Sequence, residues 1–512
     1  MEFLHSLTGT MSFTSATYLS FLTLAVLIYF TLPGPKTRSL WLLCLSSFFY
    51  LLFSPAWFWV LLSVTVLAYV CGLGLSATSG IENPRKQLLV KRSVLWFGVL
   101  TSVSALLWFK YIGFFAQVAN KLLSVAGAGA TLPVLKLVMP LGISFWTFQV
   151  VAYVVDVYKE RTPAVRNPLY FATSVIFFPI VAMGPISRVQ TLIPQLSKKY
   201  TFDYDNMRSS LLLIGWGFFK KLMIADRLAV FVNTVFDHPH AYSGRVNGLM
   251  FFVAAVFFAI QLYTDFSGYT DIVRGSARLF GVELPLNFRA PYFARSVADF
   301  WRRWHMTLMD WLKTYIYIPL GGNRKGKARK YLNLMAVFFV SGFWHGVGMH
   351  YIVWGLLNGS YQILGGWLKP FNDWTVKTLH VNRDSFAHKL FQTVLTFVLI
   401  TVAWVFFRAN SIADALYILP RMFMPTVWIF TNGSMISQGL GYSELVVALI
   451  SSVLVWVIDY LKTERSVNIT AWLFTKRLLF RWTVYYGLIL VVLIFGHYGG
   501  TYNAANFVYF KF

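Results

Sequence analysis

Residues 334–355 read LMAVFFVSGFWHGVGMHYIVWG. Two apolar runs, 331–347 and 349–367, meet there at a histidine. Each run is near the length a helix needs to cross a hydrocarbon core of ~30 Å. His345 stands at the far end of the first run, with Gly342, Gly346 and Gly348 around it. An ionisable side chain at membrane depth is costly and is by default a functional candidate. A structural role, a histidine hydrogen-bonded between helices, accounts for it equally well on the sequence alone.

The rest of the chain has the same character. Of 512 residues, 57% are hydrophobic and 12% charged, about half the charge of a soluble domain. Further apolar runs fall near 17–33, 39–54, 56–77, 94–117, 134–157, 210–236, 246–267, 388–408, 443–461 and 482–498. The chain is therefore read as an all-α polytopic membrane protein of about 11–13 spans. A weaker run, 414–431, is expected along the outer surface. No cleavable signal peptide is expected, because YLSFLTLAVLIYFTL at 18–32 is long enough to remain as an anchor.

The net charge of +25 is positioned rather than diffuse. Basic residues flank apolar runs in PGPKTRS (33–39), ENPRKQLLVKRS (82–93), YKERTPAVRN (158–167) and LKTERSVNITAWLFTKRLLFR (461–481). Residues 268–330 hold twelve Lys or Arg against four acidic residues, whereas 426–444 holds no basic residue. This is the pattern of the positive-inside rule rather than of nucleic-acid binding, which is excluded. It puts the basic loops in the cytoplasm and both termini outside. One run does not fit a crossing. FATSVIFFPIVAMGPISR (171–188) is interrupted by Pro179, Gly184 and Pro185 and has basic residues on both flanks. It reads as a re-entrant segment, with a kinked helix as the alternative. No internal repeat supports an inverted-repeat transporter. Cys44 and Cys71 sit in or beside apolar runs as small apolar residues, and no metal site is expected.

Polar residues concentrate in 261–350. His305 lies in FWRRWH, within an aromatic stretch (299–317) interleaved with Arg302, Arg303 and Lys313. An interfacial amphipathic helix would explain the aromatic and basic residues, but not a histidine in particular. Asp265 and Asp271 are expected to order the loop by pairing with Arg274 or Arg278. IPLGGNRKGKARK (318–330) could hold the phosphates of an acyl donor, although ordinary positive-inside charge explains it as well.

DFWRRWHMTLMDWLKTYIYIPLGG (299–322), followed by SGFWHG (341–346), resembles the membrane-bound O-acyltransferase family. The likeness is greatest to its bacterial branch of alginate and peptidoglycan O-acetyltransferases. MSFTSATYLSFL (11–22), MPLGISFWTFQ (139–149), YTDFSGYTDIVRG (263–275) and PLNFRAPYFARSVADFW (285–301) extend the resemblance over nearly the whole chain. It implies a helical ring around a funnel, with His345 as the catalytic histidine and His305 as the second. Trp304, Trp344, Arg302, Arg303 and Asn323 become candidates for contact with substrate or donor. A core, 1–410, would carry a C-terminal extension, 411–512. That extension ends in NFVYFKF (506–512), which resembles an aromatic tail motif of this branch. Tyr509 would be an acyl carrier, seated by Phe507, Phe510 and Phe512. An interfacial aromatic belt is the alternative for the tail.

The function expected is transfer of an acetyl group from a cytoplasmic thioester, acetyl-CoA or an acyl carrier protein, to an extracytoplasmic polysaccharide. No bound cofactor is expected. Membrane lipids and a secreted hydrolase-like transferase of the SGNH type are the implied partners, and the bacterial inner membrane the implied location. Teichoic-acid D-alanyl transfer and secondary transport are the alternatives.

Overall fold

A computed structural model describes residues 12–127, 131–135, 137–240 and 248–498. Among these residues the regular structure is helical, with no strand. Each apolar run falls on at least one helix. Six helices are long and apolar enough to cross a membrane: Pro55–Gly80, Pro84–Val125, Gly248–Leu279, Phe386–Arg408, Tyr442–Thr463 and Leu478–Phe495. Ala16–Thr31 and Ile143–Tyr158 are apolar but shorter. Others, such as Pro35–Phe53 and Gly326–His345, open with a charged first turn. The apolar window of Gly248–Leu279 is 72% buried and that of Leu478–Phe495 only 6%. The first is thus an interior helix and the second is left for lipid.

The chain forms two compact units, Met1–Leu211 with Val273–Pro285, and Leu212–Ile272 with Leu286–Phe512. The first contains the interrupted run. Pro168–Ile176 is helical, the chain breaks at Phe177, and Phe178–Val181 makes one further turn. From 183 to 188 it is non-helical, yet 171–187 is buried almost throughout. Broken backbone in an apolar setting needs partners from the protein itself. The Phe178 amide donates to Ser46 Oγ at 2.9 Å, and Gln149 Nε2 donates to the Ser174 carbonyl at 2.8 Å. This is the environment that a re-entrant segment requires.

Two runs are less regular than their hydropathy implies. In 134–157, helix begins only at Ile143, because Pro140 and Gly142 precede it and Gly142 is left-handed (φ 67°). A Cβ on Gly142 would stand 1.8 Å from the Val181 carbonyl oxygen, so the turn and the interrupted run touch backbone to backbone. In 210–236, the helix Tyr204–Phe218 passes into a π-helix, Phe219–Ala225, before Asp226–Asp237 resumes α geometry.

Gly142→Ala combines a left-handed backbone with a collision against main chain and should destabilise by about 1–3 kcal/mol. A thermal melt in detergent, read by size-exclusion fluorescence, is expected to shift several degrees down. Gly365→Ala, a helical glycine with nothing within 4 Å of the added carbon, should not shift it downward.

Candidate active site

His345 is the last residue of the Gly326–His345 helix and is 3% exposed. That helix packs against Met349–Trp367 at very short range. A Cβ on Gly355 would lie 2.2 Å from the Phe338 oxygen, and one on Gly342 2.3 Å from the Tyr351 oxygen. Small residues at the crossing let the two backbones meet. His345 is thereby pressed into a cage of rings: Trp344 and Trp354 with centroids at 4.9 Å, and Phe407 at 5.6 Å. Its Nδ1 lies 2.6 Å from the Ser341 carbonyl oxygen. A carbonyl only accepts, so the contact places a proton on Nδ1.

His305 reaches the same cage from another direction. The stretch 299–317 is not one amphipathic helix. Val297–Arg303 ends at Trp304, and Met306–Leu312 begins after His305, which takes a left-handed backbone (φ 44°). Asn287 holds this break: its carbonyl accepts from the Met306 amide at 2.9 Å and its Oδ1 accepts from Thr307 Oγ1 at 2.6 Å. The interfacial-helix alternative fails here because Trp304 and His305 are both fully buried. The His305 ring sits 4.9 Å from Phe266, 6.0 Å from Trp344 and 6.4 Å from His345. Trp304 packs on Phe288 at 5.0 Å, Trp404 at 5.2 Å and Phe300 at 5.3 Å. The wall closes through Trp404 and Trp354, stacked at 5.6 Å.

Two histidines forty residues apart in sequence thus share one buried aromatic chamber. Residues 160–407, which include both, match the sequence model of the MBOAT, membrane-bound O-acyltransferase, family. A protein described as "Probable alginate O-acetylase" from Pseudomonas syringae pv. tomato is 33% identical over 440 residues, 86% of this chain and 80% of its own. A peptidoglycan O-acetyltransferase from Helicobacter pylori is 35% identical over 433 residues, 79% of this chain and 78% of its own. A teichoic acid D-alanyltransferase from Bacillus subtilis is 30% identical over 266 residues, but these are 47% of this chain and 64% of its own. The chain belongs to the membrane-bound O-acyltransferase family. It is a multi-pass membrane O-acyltransferase.

The other candidates of this O-acyltransferase divide. Trp344 packs against both histidine rings, whereas the Trp304 ring packs on Phe288, Phe300 and Trp404. Arg303 is tied to Asp299 at 3.1 Å, while Arg302 and Asn323 are exposed. Phe507, Tyr509, Phe510 and Phe512 lie outside the described residues. Asp265 and Asp271 are ion-paired, with partners that the sequence reading did not name. Lys221 Nζ lies 2.6 Å from Asp265 and 2.8 Å from Asp226, and Lys220 Nζ lies 2.6 Å from Asp271. Both lysines sit on the π-helix Phe219–Ala225, beside the histidine-facing helix Gly248–Leu279. π-turns are frequent where function demands unusual side-chain placement. The signal was present as WGFFKKLMIAD (216–226), a lysine pair inside an apolar run.

Asp265 immediately precedes Phe266, the ring against His305. Removing one partner of a buried ion pair leaves an uncompensated charge and costs roughly 3–5 kcal/mol. Lys221→Met should therefore lower the melting temperature by far more than Arg302→Met, an exposed control. A thermal melt of both purified variants checks this.

Proposed function

We propose that the chain moves an acetyl group from a cytoplasmic thioester to an extracytoplasmic polysaccharide, by way of an ester on Tyr509. The observation that carries this is the pair of buried histidines, His345 with its Nδ1 held at the Ser341 carbonyl and its ring 6.4 Å from that of His305. The named activities of the relatives support acetyl as the group and polysaccharide or peptidoglycan as the acceptor. The D-alanyltransferase likeness covers less than half of the chain and supports that alternative less.

The chemistry balances in two transfers. His345 Nε2 takes the phenolic proton of Tyr509 as the oxygen attacks the thioester carbonyl. The C–S bond breaks, and the departing thiolate receives the proton, leaving a free thiol and an acetyl-tyrosine. His305 orients the group or stabilises the tetrahedral oxyanion. Outside, a hydroxyl of the acceptor attacks the tyrosyl ester. The phenolate leaves and recovers the acceptor's proton, so His345 and Tyr509 return to their starting forms. Thioester, phenyl ester and sugar ester run downhill, because a phenol with pKa near 10 is a better leaving group than a sugar hydroxyl. Both acetyl-CoA and an acyl carrier protein fit as donor. A secreted hydrolase-like transferase would collect the group on the outer side.

Purified protein incubated with radiolabelled acetyl-CoA should retain label on Tyr509, located by peptide mass spectrometry. His345→Ala should slow labelling by about 10²–10⁴-fold, the usual worth of a positioned base. Tyr509→Phe should abolish it, together with acetylation of the polymer in cells. Undiminished polymer acetylation in the Tyr509→Phe strain would sink the carrier and leave direct transfer to the sugar.

A further inference from the structure

A cavity of about 490 Å³ opens between the Phe386–Arg408 and Tyr442–Thr463 helices, with neither His305 nor His345 in its lining. Its size falls in the range of small-molecule sites, roughly 300–1,000 Å³. Its two ends differ in chemistry. The body is apolar and aromatic, formed by Phe293, Val394, Phe397 and Trp456. The mouth carries Arg295, Lys389 and Arg465 with Asp384 and Glu464. Arg295 pairs with Glu464 at 3.0 Å and Lys389 reaches Asp384 at 3.4 Å. The Arg465 guanidinium is exposed and lies 5.9 Å from the centre of the Tyr460 ring. Three cations against two carboxylates leave the mouth with one net positive charge.

The wall has the grain of a membrane leaflet. Along one helix, Lys389, Leu390, Val394 and Phe397 descend from charge to aromatic over about 12 Å of helical rise. This approaches the depth of one leaflet, half of a ~30 Å core. Along the other, Glu464, Tyr460 and Trp456 recur at four-residue spacing and so share a face. Aromatic residues below a basic rim mark the headgroup level. Phe386, Leu390, Val394 and Trp456 are between 45% and 79% exposed, so the cleft opens sideways where lipid lies. The loop charges put this rim on the cytoplasmic side, where anionic lipid faces basic pockets between helices.

We propose that this cleft binds one anionic glycerophospholipid from the cytoplasmic leaflet. Its phosphate sits at Arg465 and Lys389, and an acyl chain lies along Val394, Phe397 and Trp456. The proposal does not depend on the Tyr509 carrier, and neither His305 nor His345 lines the cleft.

Native mass spectrometry of the full chain in mild detergent, titrated with phosphatidylglycerol, phosphatidylethanolamine or acetyl-CoA, tests it. The chain should hold one phospholipid, with phosphatidylglycerol preferred. The double variant Lys389→Glu/Arg465→Glu should need about tenfold more lipid or greater for the same occupancy. Val394→Trp, which fills the groove from its exposed side, should lose the adduct while leaving the rim charges in place. In the unaltered protein, a photoactivatable phosphatidylglycerol should label peptides from 386–397 and 456–465. Equal retention by all three proteins, or labelling elsewhere only, would overturn the proposal. So would expulsion of the lipid by acetyl-CoA, which would assign the cleft to the acyl donor.

Discussion

Hydrocarbon offers no hydrogen bonds, so a chain that breaks its helices inside a membrane has to supply the missing partners itself. This protein breaks them at two decisive places. Around the break at Phe177 the partners come from Ser46, which accepts from the Phe178 amide, from Gln149, which donates to the Ser174 carbonyl, and from the segment's own turns. At Trp304–His305 they come from Asn287, which serves both its own carbonyl and its side-chain oxygen. Without that second support His305 would continue a helix and its ring would point elsewhere. The approach of His305 to His345 thus leans on two hydrogen bonds accepted by Asn287.

Buried ion pairs gather along one stretch of the second unit. The buried cations Lys220 and Lys221 are spent on carboxylates, with Arg227 on Glu444 as a further pair along the same stretch. The rings that the structure brings against the histidines are aromatic: Phe266, Trp344, Trp354 and Phe407. The Ser341 contact requires only that Nδ1 carry a proton.

The sequence carried the helices, the interrupted run and both histidines, because hydropathy and helix-breaking residues act locally. The polar block 261–350 was likewise visible, since a charge inside a greasy chain stands out. What escaped was non-local. The aromatic spacing of 299–317 fits one helix, and nothing within that stretch reveals that Asn287 will stop it. Lys220 and Lys221 were hidden by averaging, since two lysines barely lower the hydropathy of 210–236. Their partners Asp265 and Asp271 were seen without them, because ion pairs across helices have no sequence spacing to read. Trp354, Trp404 and Phe407 looked like ordinary membrane aromatics until the glycine crossing at Gly342 and Gly355 fixed where they meet.

The π-helix at Phe219–Ala225 has a consequence for how this region can change over evolutionary time. A π-turn amounts to one residue inserted into an α-helix, and each inserted residue rotates everything beyond it by about 100°. Here that rotation sets the phase of Arg227, and with it the reach to Glu444 and to the Phe495 carbonyl. Deleting a single residue from the stretch would restore a smoother helix and swing Arg227 off both partners. Length, rather than the identity of any one apolar side chain, is what the segment has to conserve. Substitutions should accumulate there freely among hydrophobic residues, while insertions and deletions should be purged.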